Sequence, residues 1–212
     1  MIVNRIMTKN PVFIHPDMPV SDARSLMDKE KIGRLPVLDK ENNLIGIVTK
    51  KDMLKAGPSP ATSLDMYEIS YLLSKLKVDK VMTKKVITVE ENEVVEEAAR
   101  IMSDNDISCL PIMRGKLLVG IITGKDLFRA FVKAFGAGHD GVRITFSMED
   151  KPGQIAKLSG AIGEKGGNII AFVSQDGDDL STRRGTLKIA GLDKATVQNI
   201  VAQVSADIID IR

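Results

Sequence analysis

The chain has 212 residues, 43% hydrophobic and 27% charged, with 30 Lys and Arg against 28 Asp and Glu. That is the balance of a packed, water-soluble globule, and it excludes a disordered chain and a strongly basic nucleic-acid surface. No apolar run nears the roughly 20 residues of a membrane helix.

Cys109, the single cysteine, has no internal disulfide partner, and with His15 and His139 it makes too small and scattered a set for zinc. Arg5, Lys9 and Pro11 interrupt the apolar run a signal peptide needs, so a cytoplasmic protein is expected.

From the N-terminus, an extended segment follows Met7-Thr8. An amphipathic helix then carries Val20, Ala23, Leu26 and Met27 on one face. Two strands, 35–39 and 44–49, flank a polar turn suited to a hairpin, and a second helix is predicted to start at Asp52. Residues 57–63 read as a linker, and 64–77 as a helix with Leu64, Ile69, Leu72, Leu73 and Leu76 as its apolar residues.

The pattern then returns. IMTKNPVFI (6–14) recurs as VMTKKVITV (81–89), IGRLPVLD (32–39) as ISCLPIMR (107–114), and IGIVTKKDML (45–54) as VGIITGKDLF (119–128). Met7 to Met82 and Pro36 to Pro111 are both 75 residues apart, and the offset drops to 74 at Gly46 and Gly120 because the second hairpin turn is one residue shorter. The second copy therefore predicts a helix with Val95, Ala98, Ala99 and Met102 on one face, strands at 109–113 and 118–123, and a helix from Asp126. Each copy is about 55 residues, too small to bury much alone, so two should pack sheet to sheet.

A glycine-rich hinge, FGAGHDG (135–141), ends the repeats. Beyond it come a strand (142–148), a turn (149–153) and a helix with Ile155, Leu158 and Ile162 on one face. Gly166-Gly167-Asn168 closes that helix, where glycine serves as a left-handed cap. Strands 169–175 and 182–190 flank a hairpin turn at 176–179. A helix capped by Asp193, with Val197, Ile200, Val201 and Val204, precedes a last strand at 208–211. Strand–helix–strand–strand–helix–strand is the ferredoxin-like split motif. The fold class is α+β, divided at 1–56, 57–77, 78–134, 135–141 and 142–212.

The chemistry is concentrated in Gly46-Ile-Val-Thr49-x-x-Asp52 and its copy Gly120-Ile-Ile-Thr123-x-x-Asp126. On local chemistry alone, Thr followed by Asp three residues later is a capping box, worth about 1 kcal/mol to a helix. The same geometry suits a nucleotide: a helix N-terminus offers free amides to phosphate, the hydroxyl adds a donor, and a carboxylate accepts ribose hydroxyls. Val12 and Ile87 would supply apolar walls for a base. Met7, Met82 and Cys109 read as packing residues.

Residues 3–56 and 78–130 resemble two cystathionine-beta-synthase (CBS) repeats, through the MT segment, the LPV block and the GhhTxxD block. The resemblance implies a pseudo-twofold pair with two clefts for AMP, ADP, ATP or S-adenosylmethionine. The implied nucleotide-binding residues are Thr8, Val12, Arg34, Thr49, Asp52, Thr83, Ile87, Thr123 and Asp126. Arg34 stands where some members place a cation against phosphate; its counterpart is Cys109, so the clefts should differ. Lys50 and Lys125 flank the sites.

DKPGQIAKLSGAIGEKGGNI (150–169) resembles the opening of ACT domains, which bind amino acids and similar metabolites at subunit interfaces. The resemblance covers about 141–212 and implies ligand contacts from Asp150, Gly153, Gln154 and Asn168, with Asn168 contributed by a neighbouring subunit. A purely structural reading makes the glycines turn residues and Asn168 a loop cap. The order of modules is similar to that of the acetoin-utilisation protein family, which implies a regulatory role.

Together these readings predict a non-catalytic sensor that is a homodimer or larger and acts on an unidentified target protein. It should need no cofactor or metal beyond an adenine nucleotide as regulatory ligand, and bind neither nucleic acid nor membrane. An enzyme is disfavoured because the recognised modules consume the chain and no Ser–His set, Cys–His set or phosphate loop is present. A protein-interaction scaffold without a small-molecule ligand is the competing reading.

Overall fold

Each copy of the repeat builds the same short series of elements. The first comprises a 3-10 turn (Val3–Arg5), β1 (Thr8–Lys9), α1 (Val20–Lys29), β2 (Arg34–Leu38), β3 (Leu44–Thr49) and α2 (Lys50–Lys55). After α3 (Met66–Lys75), the second comprises a 3-10 turn (Val78–Lys80), β4 (Val89–Glu90), α4 (Val95–Asp104), β5 (Cys109–Arg114), β6 (Leu117–Thr123) and α5 (Gly124–Ala134). The computed structural model describes residues 1–56, 65–204 and 206–212. The linker expected at 57–63, Leu64 and the side chains of Ile69, Leu72 and Leu73 lie outside the described residues.

The chain divides into two compact units, Met1–Leu127 and Phe128–Arg212. In the first, the copies exchange their leading segments. Val3 packs with Val89, Ala98, Met102, Leu110, Ile112 and Ile122, and Ile6 and Met7 rest on that cluster. Val78 packs with Ile14, Val20, Ala23, Met27, Leu35, Val37, Val48 and Met53, with Val81 and Met82 beside it. The hydrogen bonding agrees: β1 pairs with β6, Thr8 opposite Ile121, while Thr83 bridges Ile47 on β3. A third cluster of Ile47, Cys109 and Ile121, with Val86 against it, forms the seam between the copies. Each copy's core thus takes the start of the other copy's leading segment, Val3 or Val78, while the segment's end, Ile14 or Val89, stays in its own core.

The helix faces follow the apolar spacing. Val20, Ala23 and Met27 of α1 are buried and Leu26 half-buried; on α4, Ala98 and Met102 are buried while Val95 and Ala99 are half-buried. Helices α2 and α5 start at Lys50 and Gly124, two residues before the predicted Asp52 and Asp126. The reason is the cap: Thr49 closes the helix from outside, which places Asp52 in its first turn.

The second unit holds β7 (Val142–Glu149), α6 (Gln154–Glu164), β8 (Asn168–Asp176), β9 (Thr182–Ala190), α7 (Lys194–Gln203) and β10 (Asp207–Ile211). Its sheet is antiparallel in the order β10-β7-β9-β8. Ile144, Phe146 and Met148 of β7 and Leu187 and Ile189 of β9 bury against Leu158, Ile162, Val197, Ile200 and Val201 of the helices. Ile155, expected on that face, sits in the first turn of α6 outside this cluster and is 46% exposed. Of the glycine pair after α6, Gly166 takes the left-handed conformation (φ 79°), whereas Gly167 is required by space: a Cβ there would strike Leu192 and Ile162. Among the described residues of the chain, no helix is long and apolar enough to cross a membrane.

Candidate functional site

Both Thr–Asp pairs sit where a buried strand gives way to a helix. The backbone N–H and Oγ1 of Thr49 donate to Asp52 Oδ2 at 2.9 and 2.7 Å, and Thr49 Oγ1 accepts from the Asp52 N–H at 3.3 Å. Thr123 donates to Asp126 Oδ2 from the same two groups, at 2.9 and 2.7 Å. Local capping chemistry is therefore present at both positions. It also holds each hydroxyl and carboxylate side by side, at the mouth of a strand whose last residues are buried.

A cavity of about 320 Å³ opens beside the second pair, lined by residues of both copies. Thr8 and Val12 come from the first copy's leading segment, Arg34 from the start of β2, and Thr123 and Asp126 from the β6–α5 junction. Five residues far apart in sequence meet here because β1 pairs with β6 across the copies. Thr49, Asp52, Thr83 and Ile87 do not line this cavity; they occupy the positions related to it by the repeat.

Asn10, Pro11, Lys31, Ile32, Gly33, Ile121 and Lys125 complete the lining, and of these sequence reasoning had singled out only Lys125. Asn10 (φ 48°) and Lys31 (φ 55°) both have left-handed backbone, which turns the chain around the cavity rim. Periodicity does not report such turns; the Asn after a short extended segment was the available signal. Three cations, Lys31, Arg34 and Lys125, face one carboxylate, Asp126. By the repeat, the positions of Lys31, Arg34 and Lys125 are held in the other set by Asp106, Cys109 and Lys51, that of Asp126 by Asp52, and that of Asn10 by Lys85.

Arg34 reaches out of its own copy. Its Nη2 donates to Ser108 Oγ at 2.7 Å, next to Cys109. Burial pushes the Cys109 thiol above its ordinary pKa, with the Arg34 charge pulling the other way and Asp52 adding to the rise. The thiol is a neutral, buried packing group.

In the second unit, Asp150 is exposed and its Oδ2 accepts from Arg183 Nη1 at 3.4 Å. Gly153 (φ 88°) is the left-handed N-cap of α6, and Gln154 is that helix's first residue. Asn168 opens β8, paired with Ala190. The 11-residue α6 puts the turn and Asn168 at opposite ends of a rod roughly 16 Å long, so one chain does not bring them together.

The model of the CBS domain matches residues 3–59 and 78–133. The chain belongs to the CBS-domain family. A TTHA0829-like ACT domain follows the CBS pair at residues 140–212. Two curated relatives of the CBS pair come from Methanocaldococcus jannaschii. One is an uncharacterised protein, 35% identical over 60% of this chain and 31% of its own length. The other is L-aspartate semialdehyde sulfurtransferase, 30% identical over 61% of this chain and 23% of its own length. The chain thus spans less than a third of either.

Among solved structures, the pair is similar to the CBS domain pair of protein MJ0100 in complex with 5′-methylthioadenosine and S-adenosyl-L-methionine (30% identity, TM-score 0.52, 62% of this chain and 95% of that one). It is also similar to an acetoin utilization protein (AcuB) from Vibrio cholerae (30%, 0.52, 62% and 90%). A third likeness is to CBSX2 in complex with AMP (29%, 0.50, 62% and 96%).

Proposed function

We propose that this protein is a non-catalytic regulatory sensor whose CBS pair binds an adenine nucleotide in the cavity between the copies. One observation carries the reading: Thr8, Val12, Arg34, Thr123 and Asp126 converge on a single opening of about 320 Å³, within the roughly 300–1,000 Å³ of small-molecule sites. Val12 provides an apolar wall for the base. The amides opening α5, the Thr123 hydroxyl and the three cations suit phosphate, and Asp126 suits ribose hydroxyls. Binding would exchange partners: as Thr123 turns its hydroxyl from Asp126 Oδ2 to a phosphate oxygen, that carboxylate oxygen becomes available to the sugar. The excess of cations favours AMP, ADP or ATP over the sulfonium of S-adenosylmethionine.

The solved relatives that hold AMP, 5′-methylthioadenosine and S-adenosylmethionine support the same reading. The sulfurtransferase relative does not weaken it, because the shared segment is 23% of that protein. The ACT domain serves dimerisation or metabolite sensing. If it takes an amino acid, Asp150, Gly153 and Gln154 of one subunit face Asn168 of another, which requires a homodimer or larger.

The competing reading, a scaffold with no small-molecule ligand, draws on the Thr–Asp pairs being satisfied as helix caps. Calorimetric and thermal-shift titrations with AMP, ATP and S-adenosylmethionine separate the two. The sensor reading expects a melting temperature that rises with nucleotide concentration, and loss of that rise in the Thr123→Ala, Asp126→Ala double variant. Flat responses to every adenine compound select the scaffold.

A further inference from the structure

We infer that a further cavity, at the end of β4, is a binding site for a small organic anion that carries hydroxyls, such as a sugar phosphate or a hydroxy acid. It has a volume of about 370 Å³ and opens between β4, the β5–β6 turn and the start of β3. It shares no lining residue with the cavity beside Thr123 and Asp126. Nor is it the repeat-related counterpart of that cavity: of the positions related to it by the repeat, only Val86 lines this one.

The repeat explains why the place is open. In the first copy the Phe13 ring stands edge-on to that of His15, with centroids 5.8 Å apart, and His15 Nδ1 donates to the Leu38 carbonyl at 3.0 Å. The 75-residue offset puts Thr88, Glu90 and Met113 in the places of Phe13, His15 and Leu38. Two stacked rings thus give way to a hydroxyl and a carboxylate. Across the opening, Asn43 stands where the second copy's hairpin has Leu117. Aromatic and aliphatic bulk is replaced by polar groups that converge on one opening, the mark of a small-molecule site.

Those polar groups are held in place. Glu90 lies beside Met113 in the β4–β5 ladder, and its Oε2 accepts from the Gly115 N–H at 3.3 Å. Its remaining lone pairs can accept from ligand hydroxyls. Asn43 Nδ2 donates to Asp39 Oδ2 at 2.9 Å, which fixes the amide and keeps its Oδ1 as an acceptor. Lys84 and Lys116 stand exposed at the rim and outnumber Glu90, the one carboxylate in the lining, so the charge favours an anion. Their ammonium groups are point charges that suit phosphate or carboxylate. Val86 and Met113 supply an apolar floor for a carbon frame: Met113 is buried, and Val86 packs on the seam of Ile47, Cys109 and Ile121.

The test is calorimetry on the full chain with 3-phosphoglycerate, citrate and inorganic phosphate. The organic anions should bind, with an affinity that falls as salt is raised. Inorganic phosphate should bind more weakly, because it brings no carbon frame to Val86 and Met113. Lys84→Ala combined with Lys116→Ala should weaken the organic anions by roughly tenfold, and exposed side chains of this kind can be removed without loss of the fold. Thr88→Phe combined with Glu90→His, which rebuilds the first copy's ring pair in the opening, should abolish binding. If neither organic anion binds the wild type, or if the lysine variant keeps full affinity, the inference is overturned. Affinity lost in Arg34→Ala but kept in the lysine variant places the anion beside Thr123 instead and also overturns it. Phosphate binding as tightly as the organic anions overturns the assigned ligand class. The lysine variant decides the matter even where the ring variant fails to fold.

Discussion

Met7 and Gly120 meet across the two copies: the Met7 thioether lies over the Gly120 backbone, where a Cβ would have to stand. Met82 and Gly46 repeat the contact on the other side of the pseudo-twofold. The glycine that opens each GhhTxxD block thus meets a packing demand from the other copy. The glycine is small because a methionine from the other copy occupies its face.

Gly120→Ala should therefore cost about 1–3 kcal/mol by overpacking, and the loss should be partly recovered when Met7→Ala is added. Urea unfolding of the two single variants and the double variant measures this coupling. Strict additivity would show that the two residues do not press on one another.

Thr49→Ala should lower stability by about 1 kcal/mol, because Thr49 accepts from the Asp52 N–H and anchors its carboxylate at the start of α2. Thr49→Ser keeps the hydroxyl and should unfold near the wild-type urea midpoint. Equal losses from both would assign the effect to the methyl group instead.

Cys109 is 8% exposed and its thiol is held above its ordinary pKa by burial. Iodoacetamide at mildly alkaline pH should alkylate the folded protein slowly and the urea-unfolded protein readily, since the thiolate is the reacting species. Mass spectrometry of timed samples reads both rates. Comparable rates would mean that the seam opens easily.

Asp193 caps α7, where the Thr196 N–H donates to its carboxylate at 2.8 Å and holds its pKa below the ordinary range. A carboxyl depressed on folding contributes stability that is present above its unfolded pKa, near pH 4, and is lost as pH falls through the folded value. Asp193→Asn keeps a capping oxygen but no charge. Wild type should be the more stable at pH 7, and the gap should close in acid. Urea midpoints at neutral pH and near pH 3 test this; a gap that widens in acid would contradict it.

Much of this architecture is legible in the sequence. The offset between MTKN and MTKK, the apolar LPV and GIVT blocks, and the D-x-P-G (150–153) and G-x-N-I (166–169) pairs are local signals, and local signals carry element type, repeat number and caps. Thr49 and Asp52 were legible as a cap because their partners lie three residues apart. Arg34 was legible as a cation with no counterpart in the second copy.

Only the tertiary structure decided which copy each leading segment completes, since Val3 and Val78 present the same pattern to either core. It also decided that Thr8, Val12, Arg34, Thr123 and Asp126 share one cavity, that Lys31 and Asn10 turn into its rim, and that Arg34 rests on Ser108. Periodicity states which face of a strand is buried; it does not state against whom. That choice rests on long-range pairing and on the fit of one side chain against a missing one, as Met7 against Gly120, and those exist only once the chain has closed on itself.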